Sequence, residues 1–416
     1  MDILYLTMSM PDLKAPGIYS DLINELLERG HKVTIALVTG RKNLKRSDTV
    51  SYQGTELIRV RVGELFKVNF LIKGINTLKI EPCMRHAIWK FIRNEHYDLV
   101  IYATPPVTFA SVIKYCKKRF GCKAFLMLKD IFPQNAVDIG LFKEKGPLHR
   151  FFKRKEQKLY ELSDMIGCMS KGNLDYIRTH HPEIDESRLI LFPNTMKVQP
   201  FENAPEETYA PDVRNLVTEA DHADEAETLQ EKKVRFVFGG NLGKPQAVDF
   251  LIRAVSSPRM QDCKQAEFLF VGEGSEQEKV QKAFMDSPNA RFIKFLPPRE
   301  YDRLMADCDV GIISLDVRFT IPNYPSRMLG YMAAAKPMLA CTDRSTDVKE
   351  LLTEEADCGL WCASDDVDAF CENVERLCAD EALRRRLGGN GRRYLEQYFD
   401  VRRSAELIES YGSPAK

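Results

Sequence analysis

The chain has 416 residues, and its 60 lysine and arginine residues balance 60 aspartate and glutamate residues to a formal net charge of zero. That balance argues against a generic nucleic-acid binder, which carries a basic excess. The length suits two or three domains with cores that need no staples. The 11 cysteines are scattered, as reduced thiols would be.

The start, Met1–Leu6, lacks the basic residues and cleavage site of a signal peptide, and no apolar run nears the ~20 residues of a membrane span. The expected location is the cytoplasm, or the inner face of the cell membrane. Ile3, Leu4 and Leu6 predict a first strand, and Met8–Gly17 a loop. Ile18, Leu22 and Leu26, with Ile23 and Leu27 beside them, then recur at helical spacing until Gly30. Val33, Ile35 and Leu37 alternate as the next strand. Further strands are read at Leu99–Tyr102, Ala124–Leu128, Met165–Met169 and Leu189–Phe192, with helices near Val107–Lys118 and, strongly basic, near 147–162. Strands alternating with helices predict a doubly wound parallel sheet.

The pattern then breaks. From Glu202 to Glu231 ten acidic residues face a single arginine, Arg214, and large apolar residues are few. Such a segment buries too little apolar surface to order itself and reads as a linker or mobile insertion. Alternation restarts with strands at Val234–Phe238, Phe268–Val271, Phe292–Phe295, Val310–Ser314 and Pro337–Cys341, and the remainder reads as helical through Tyr411. The expected organisation is a first α/β domain over 1–195, the acidic linker over 196–233, a second α/β domain over 234–396, and a C-terminal helix over 397–416 packing back on the first domain. Two Rossmann-like sheets of one architecture would face each other across a cleft, and ligands in open α/β sheets bind outside the strand C-terminal ends.

Three glycine- or proline-bearing turns in the second half carry the chemistry. Phe238-Gly239-Gly240-Asn241-Leu242-Gly243-Lys244-Pro245-Gln246 follows a strand and opens a helix, so Gly240 lets backbone approach a phosphate and Lys244 adds a cation. Val271-Gly272-Glu273-Gly274-Ser275 repeats the arrangement but lacks the third glycine of a dinucleotide fingerprint. In Pro325-Ser326-Arg327, Ser326 is placed to cap the next helix and Arg327 to fork onto phosphate oxygens. In the first half, Gly17 lies at a helix start, and Lys129-Asp130 follows a strand end where polar residues converge on ligands. Asp307-Cys308-Asp309 imitates a metal motif, but Asp309 more simply starts a strand. Asp365-Asp366-Val367-Asp368 reads as a helix cap. Cys358, Cys362, Cys371 and Cys378 lack the tight pairing of a zinc site and read as idle thiols.

Taken in order, Gly30-His31-Lys32-Val33, Ser170, Pro193-Asn194, Gly240–Lys244, Val271–Gly274, Pro325-Ser326-Arg327 and Met332–Pro337 resemble the retaining glycosyltransferases of the GT-B fold, family 4. Lys129-Asp130-Ile131-Phe132-Pro133 and the Pro-Ser-Arg turn look like the branch of N-acetylfucosamine transferases of capsule and O-antigen synthesis. The resemblance implies a nucleotide diphosphate sugar as donor, UDP-linked by preference, and a lipid-linked saccharide as acceptor. It implies no required metal and no cofactor. Gly17, Gly240, Asn241, Lys244, Gln246, Gly272, Gly274, Leu296, Pro325, Ser326 and Arg327 would bind the donor, and Asp130 and Lys129 would serve the chemistry. The sequence also departs from the family. Its two glutamates eight residues apart are here Pro322 and Gly330, the arginine after the phosphate-loop glycine is Asn241, the first-half histidine is Lys129, and one first-loop glycine is Ile18. A 2-epimerase of nucleotide sugars and a non-catalytic nucleotide-sugar-binding subunit are the rival readings. The mixed apolar and basic stretches Leu65–Lys73 and Lys143–Lys158 suit an anionic membrane surface.

Overall fold

The computed structural model describes residues 1–8, 12–40, 42–64, 70–199 and 233–412. The acidic stretch Glu202–Glu231 and the segment Leu65–Asn69 lie outside the described residues. The chain divides into two compact units, one built from Met1–Lys197, Thr320–Tyr324 and Phe399–Lys416, the other from Val198–Phe319 and Pro325–Tyr398.

The first unit runs β1 (Asp2–Thr7), α1 (Ile18–Glu28), β2 (Lys32–Thr39), β3 (Asp48–Tyr52), β4 (Thr55–Arg61), α2 (Phe70–Ile92), β5 (Leu99–Ala103), α3 (Ala110–Phe120), β6 (Lys123–Leu128), α4 (Gln134–Asp138), α5 (Pro147–Leu162), β7 (Met165–Cys168), α6 (Lys171–His180) and β8 (Leu189–Leu191). Its strand order is β3-β4-β2-β1-β5-β6-β7-β8. Every pair is parallel except β3–β4, a hairpin turned at Gln53 and Gly54, both with positive φ. The parallel reading of this sheet is therefore corrected at one edge. Neither hairpin nor α2 stands out in the sequence. Strand β3 is half exposed, and α2 carries an internal proline, Pro82, and a weak apolar face. Phe70–Lys73, read as part of a membrane-contacting stretch, forms the first turn of α2.

The second unit runs β9 (Val234–Gly239), α7 (Val248–Val255), α8 (Pro258–Gln261), β10 (Ala266–Val271), α9 (Gln277–Ala283), β11 (Ala290–Ile293), α10 (Pro298–Ala306), β12 (Val310–Ser314), α11 (Arg327–Ala333), β13 (Met338–Thr342), α12 (Val348–Glu350), β14 (Gly359–Ala363), α13 (Val367–Ala379) and α14 (Glu381–Tyr398). Its all-parallel sheet is ordered β11-β10-β9-β12-β13-β14. Strand β14 interrupts the stretch expected to be helical, because Cys362 and its neighbours register against β13. Strands reading as continuous apolar runs, such as Val310–Ser314, are buried along their whole length, as parallel strands covered on both faces must be.

Each sheet has one switch point, between β1 and β5 and between β9 and β12, where connections leave in opposite directions. Open α/β sheets bind ligands outside the strand C-terminal ends at such points.

The last helix, α15 (Val401–Gly412), belongs to the first unit. Val401, Ala405 and Ile408 are buried with Ile3, Tyr5, Leu22 and Leu26. Arg29 and His31 reach Glu409 at 2.9 and 2.8 Å, and the Thr195 and Ser404 hydroxyls meet at 2.8 Å. Among the described residues no helix is long and apolar enough to cross a membrane. Because Ile408 is fully buried, Ile408→Ala should lower unfolding free energy by about 2–5 kcal/mol in urea denaturation.

Candidate functional site

In the second unit, β9 ends at Gly239 and the chain turns through Gly240, whose φ is +115°. The loop is braced from two sides. Gly240 N donates to Val271 O and Leu242 N to Glu273 O, both at 2.9 Å. A Cβ on Gly272 would lie 1.9 Å from the Gly240 carbonyl oxygen, and one on Gly274 would lie 2.2 Å from that of Leu242. The Gly-Glu-Gly turn thus packs backbone against backbone, which fixes the first loop. Gln246 also braces it, accepting from Asn241 Nδ2 at 3.0 Å and Gly243 N at 3.2 Å. Lys244 is exposed, and no ion pair engages it among the described residues. Leu296 is half-buried in the loop between β11 and α10.

Arg327, the first residue of α11, lies over the Phe238 ring, its guanidinium carbon 4.3 Å from the centroid. A Cβ on Gly240 would lie 3.6 Å from Arg327 Nη2. Its Nη1 is buried without a hydrogen-bond partner. Burial weakens the guanidinium's hold on its proton, while Tyr331 and Tyr301 act the other way. The geometry is held by Tyr331, whose hydroxyl accepts from Gly239 N at 3.4 Å. That hydroxyl also lies 3.1 and 3.2 Å from the Val237 and Ile312 carbonyls, to one of which it donates.

Pro325 is half-buried and Ser326 exposed. The expected Ser326 cap is absent, a correction with a backbone cause. Ser326 is already helical (φ −62°, ψ −21°), whereas a capping side chain reaches the first N–H groups from an extended backbone. Asp309 accepts from Arg235 N at 2.9 Å, tying β12 to β9. Asp366 caps α13 through Ala369 N at 3.0 Å. Among the described residues no group of three histidine, cysteine or acidic side chains could hold a metal ion.

In the first unit, Gly17 precedes α1, its N–H donating to Asp21 Oδ1 at 3.3 Å while Ser20 Oγ donates to Ala15 O at 2.7 Å. Lys129 and Asp130 follow β6. The hydroxyl of Thr104, at the end of β5, accepts from both their N–H groups at 3.1 and 3.3 Å and donates to Asp130 O at 3.0 Å. Burial pushes the Lys129 amine down to about 7 and the Asp130 carboxyl up to about 6. No ion pair joins them among the described residues. Lys129 Nζ instead lies 5.5 Å from the Phe192 ring centroid. Burial and then the Asp130 charge raise Tyr19 to about 12. Asn194, just past β8, keeps a buried Oδ1 without a partner.

Of the positions where the family carries glutamates, Pro322 lies in the first unit and its carbonyl accepts from Asn173 Nδ2 at 3.0 Å. Gly330 is exposed in α11, with no atom within 4 Å of a Cβ placed there. Sequence reasoning missed Thr104, Tyr301 and Tyr331, and named Phe238 only as the residue leading into the first glycine loop. Only Thr104 left a signal, as the polar residue that ends an apolar strand at the switch point.

Residues 19–199 match the family described as Glycosyltransferase Family 4, and residues 233–380 match Glycosyl transferases group 1. The chain is a family 4-like glycosyltransferase of the GT-B fold. A probable glycosyltransferase of Pseudomonas aeruginosa, WbjE, is 24% identical over 330 residues, covering 76% of this chain and 74% of its own. Among solved structures, sucrose-phosphate synthase from Thermosynechococcus elongatus superposes with a TM-score of 0.74 at 16% identity, over 99% of this chain and 98% of that one. Anabaena HepE in complex with UDP-glucose gives 0.66 at 14%, over 99% of each chain.

Two substitutions check these assignments. Gly272→Ala meets a backbone oxygen at a φ of +143°, and should cost several times the roughly 1 kcal/mol of an ordinary glycine exchange. Gly330→Ala fills open space in this transferase and should gain about 0.5–1 kcal/mol. Both are read from chemical denaturation. The depressed amine of Lys129 gives a pH signature. Below about 7 the folded state carries the buried charge, and between about 7 and the usual 10.5 only the unfolded state keeps the proton, so stability rises with pH across that window. Lys129→Met should therefore raise the melting temperature most below pH 7, with the gain shrinking toward pH 10.5.

Proposed function

We propose that this chain transfers a sugar, with retention of configuration, from a UDP-sugar to a lipid-linked saccharide in bacterial surface polysaccharide synthesis. The observation that carries this reading is Arg327, a half-buried residue whose Nη1 is out of water and unpartnered beside the Gly240 loop. Such a group suits a diphosphate, whose oxygens accept from a planar fork. The UDP-glucose held by the similar Anabaena protein supports a uridine nucleotide. An N-acetylated deoxyhexosamine is the proposed donor sugar, resting on the Lys129–Pro133 and Pro325–Arg327 motifs alone.

In the proposed reaction the bond between the anomeric carbon and the diphosphate oxygen breaks, and its electron pair leaves with the diphosphate. Arg327 and Lys244 stabilise that developing charge without a metal, the kind of electrostatic term that usually dominates catalysis. The acceptor hydroxyl attacks from the leaving-group face, and its proton passes to a phosphate oxygen. Asp130 orients the reacting sugar, which predicts activity rising as pH passes about 6. The acceptor's lipid carrier places the protein in peripheral contact with the inner face of the membrane.

A non-catalytic nucleotide-sugar-binding subunit is the second reading, favoured by the bare surface at Gly330 and the engaged carbonyl at Pro322. Calorimetric titration with UDP and GDP separates the possibilities when paired with a transfer assay. UDP binding should weaken at least tenfold in Arg327→Ala, the loss of a charge-assisted pair, and less in the exposed Lys244→Ala. Binding without transfer would favour the subunit, and no binding of either nucleotide would sink both readings.

A further inference from the structure

The three lysines of the basic stretch on α5 are neutralised within the protein, while Arg150 and Arg154 have no carboxylate partner among the described residues. Lys153 pairs with Glu156 at 2.7 Å, Lys155 with Glu81 at 2.9 Å and Lys158 with Glu161 at 2.6 Å. A different surface of the first unit keeps its charge. Helices α2 and α3 carry one acid between them, Glu81, which is occupied by Lys155 and by Ser111 N at 2.7 Å. A groove between the two helices is lined by Arg85, Lys114 and Lys118 together with Trp89 and Tyr115. Among the described residues none of those three cations has a carboxylate partner.

The same face is apolar beyond the groove. Ile75 is 55%, Leu78 48% and Trp89 46% exposed. Their spacing puts them, with Arg85, on a stripe about 100° wide or narrower along α2. The Arg93 guanidinium carbon lies 4.9 Å from the Trp89 ring, leaving an amphipathic ring flanked by cations. A soluble anionic sugar would satisfy the cations but would leave Ile75 and Leu78 in water. An anionic bilayer satisfies both, with lipid phosphates at the cations and the aliphatic groups and indole at the acyl boundary.

We propose that the α2–α3 face, with Arg85, Lys114, Lys118 and Trp89 at its centre, docks the protein on an anionic membrane surface. This rests on the peripheral-membrane part of the proposed function and is independent of the transfer chemistry, since vesicle binding needs neither donor nor acceptor. The test is co-sedimentation of the full chain with vesicles of phosphatidylcholine alone and of equimolar phosphatidylcholine and phosphatidylglycerol. The wild-type protein should bind only the anionic vesicles. Arg85→Gln/Lys114→Gln/Lys118→Gln should weaken that binding on the order of 100-fold, about fivefold per charge. Arg150→Gln/Arg154→Gln on α5 should leave it within about twofold, because those residues lie outside the groove.

The chain has two tryptophans, and the other, Trp361, donates to Thr342 Oγ1 in the second unit. A blue shift of fluorescence on anionic vesicles should therefore vanish in Trp89→Phe. Wild-type binding that survives the triple substitution, or that is lost through α5, would overturn the assignment while keeping the membrane reading. Absence of wild-type binding would overturn both. Capture of polygalacturonate by the wild type but not the triple variant, without vesicle binding, would give the groove to a soluble acidic glycan and overturn the proposal.

Discussion

A guanidinium removed from water needs oxygen partners, and leaving one of its nitrogens bare costs free energy that the rest of the fold must offset. In Arg327 the nitrogen in that condition is Nη1, and rigid surroundings hold it there. Phe238 lies under its plane, and Tyr331 pins its helix to β9 and β12. The Gly240 loop beside it packs so closely on the next turn that no side chain fits at Gly272 or Gly274. Much of the local sequence makes sense as the means of keeping one cation fixed and unsatisfied. Pre-organised polarity of this kind is what a site needs when charge develops on a ligand faster than protein can rearrange.

The first unit offers a softer counterpart. Lys129 and Asp130 are adjacent residues of opposite charge, yet burial drives each toward its neutral form without joining them in an ion pair. Thr104 fixes their backbone rather than their side chains. Both groups consequently titrate near neutrality, and a charge brought close to either would shift its protonation at little cost.

The sequence made the repeating βα pattern readable because parallel strands covered on both faces are near-continuous apolar runs, as Leu99–Ala103 is throughout and Val310–Ser314 is up to its last residue. The glycine loops were equally visible, but their division of labour was not. Gly240 faces a cation and Gly272 faces a carbonyl, and nothing in a one-dimensional string separates a glycine that makes room for a ligand from one that makes room for another loop. Strand β3 and helix α2 escaped notice for opposite reasons. The strand is too exposed to alternate clearly, and the helix shows apolar residues on its outer as well as its inner side. Tyr331 lies amid Met328, Leu329 and Met332 and reads as core, and its hydroxyl's partners are strands distant in sequence. The basic run on α5 shows the reverse failure. Its lysines attract attention in sequence, but spacings of three residues and the unseen Glu81 let the fold neutralise them.

The last helix has a consequence for how the molecule comes into being. Domains tend to fold as units while the chain is still being synthesised, beginning at the N-terminus. Here the unit that is started first is finished last. Val401, Ala405 and Ile408 complete a core begun at Ile3, and Gly412 packs against Met1. The second unit, by contrast, is contained between Val198 and Tyr398 and is complete before the ribosome reaches α15. During synthesis the first sheet must therefore wait with one face of β1 and α1 uncovered until α15 follows the second unit.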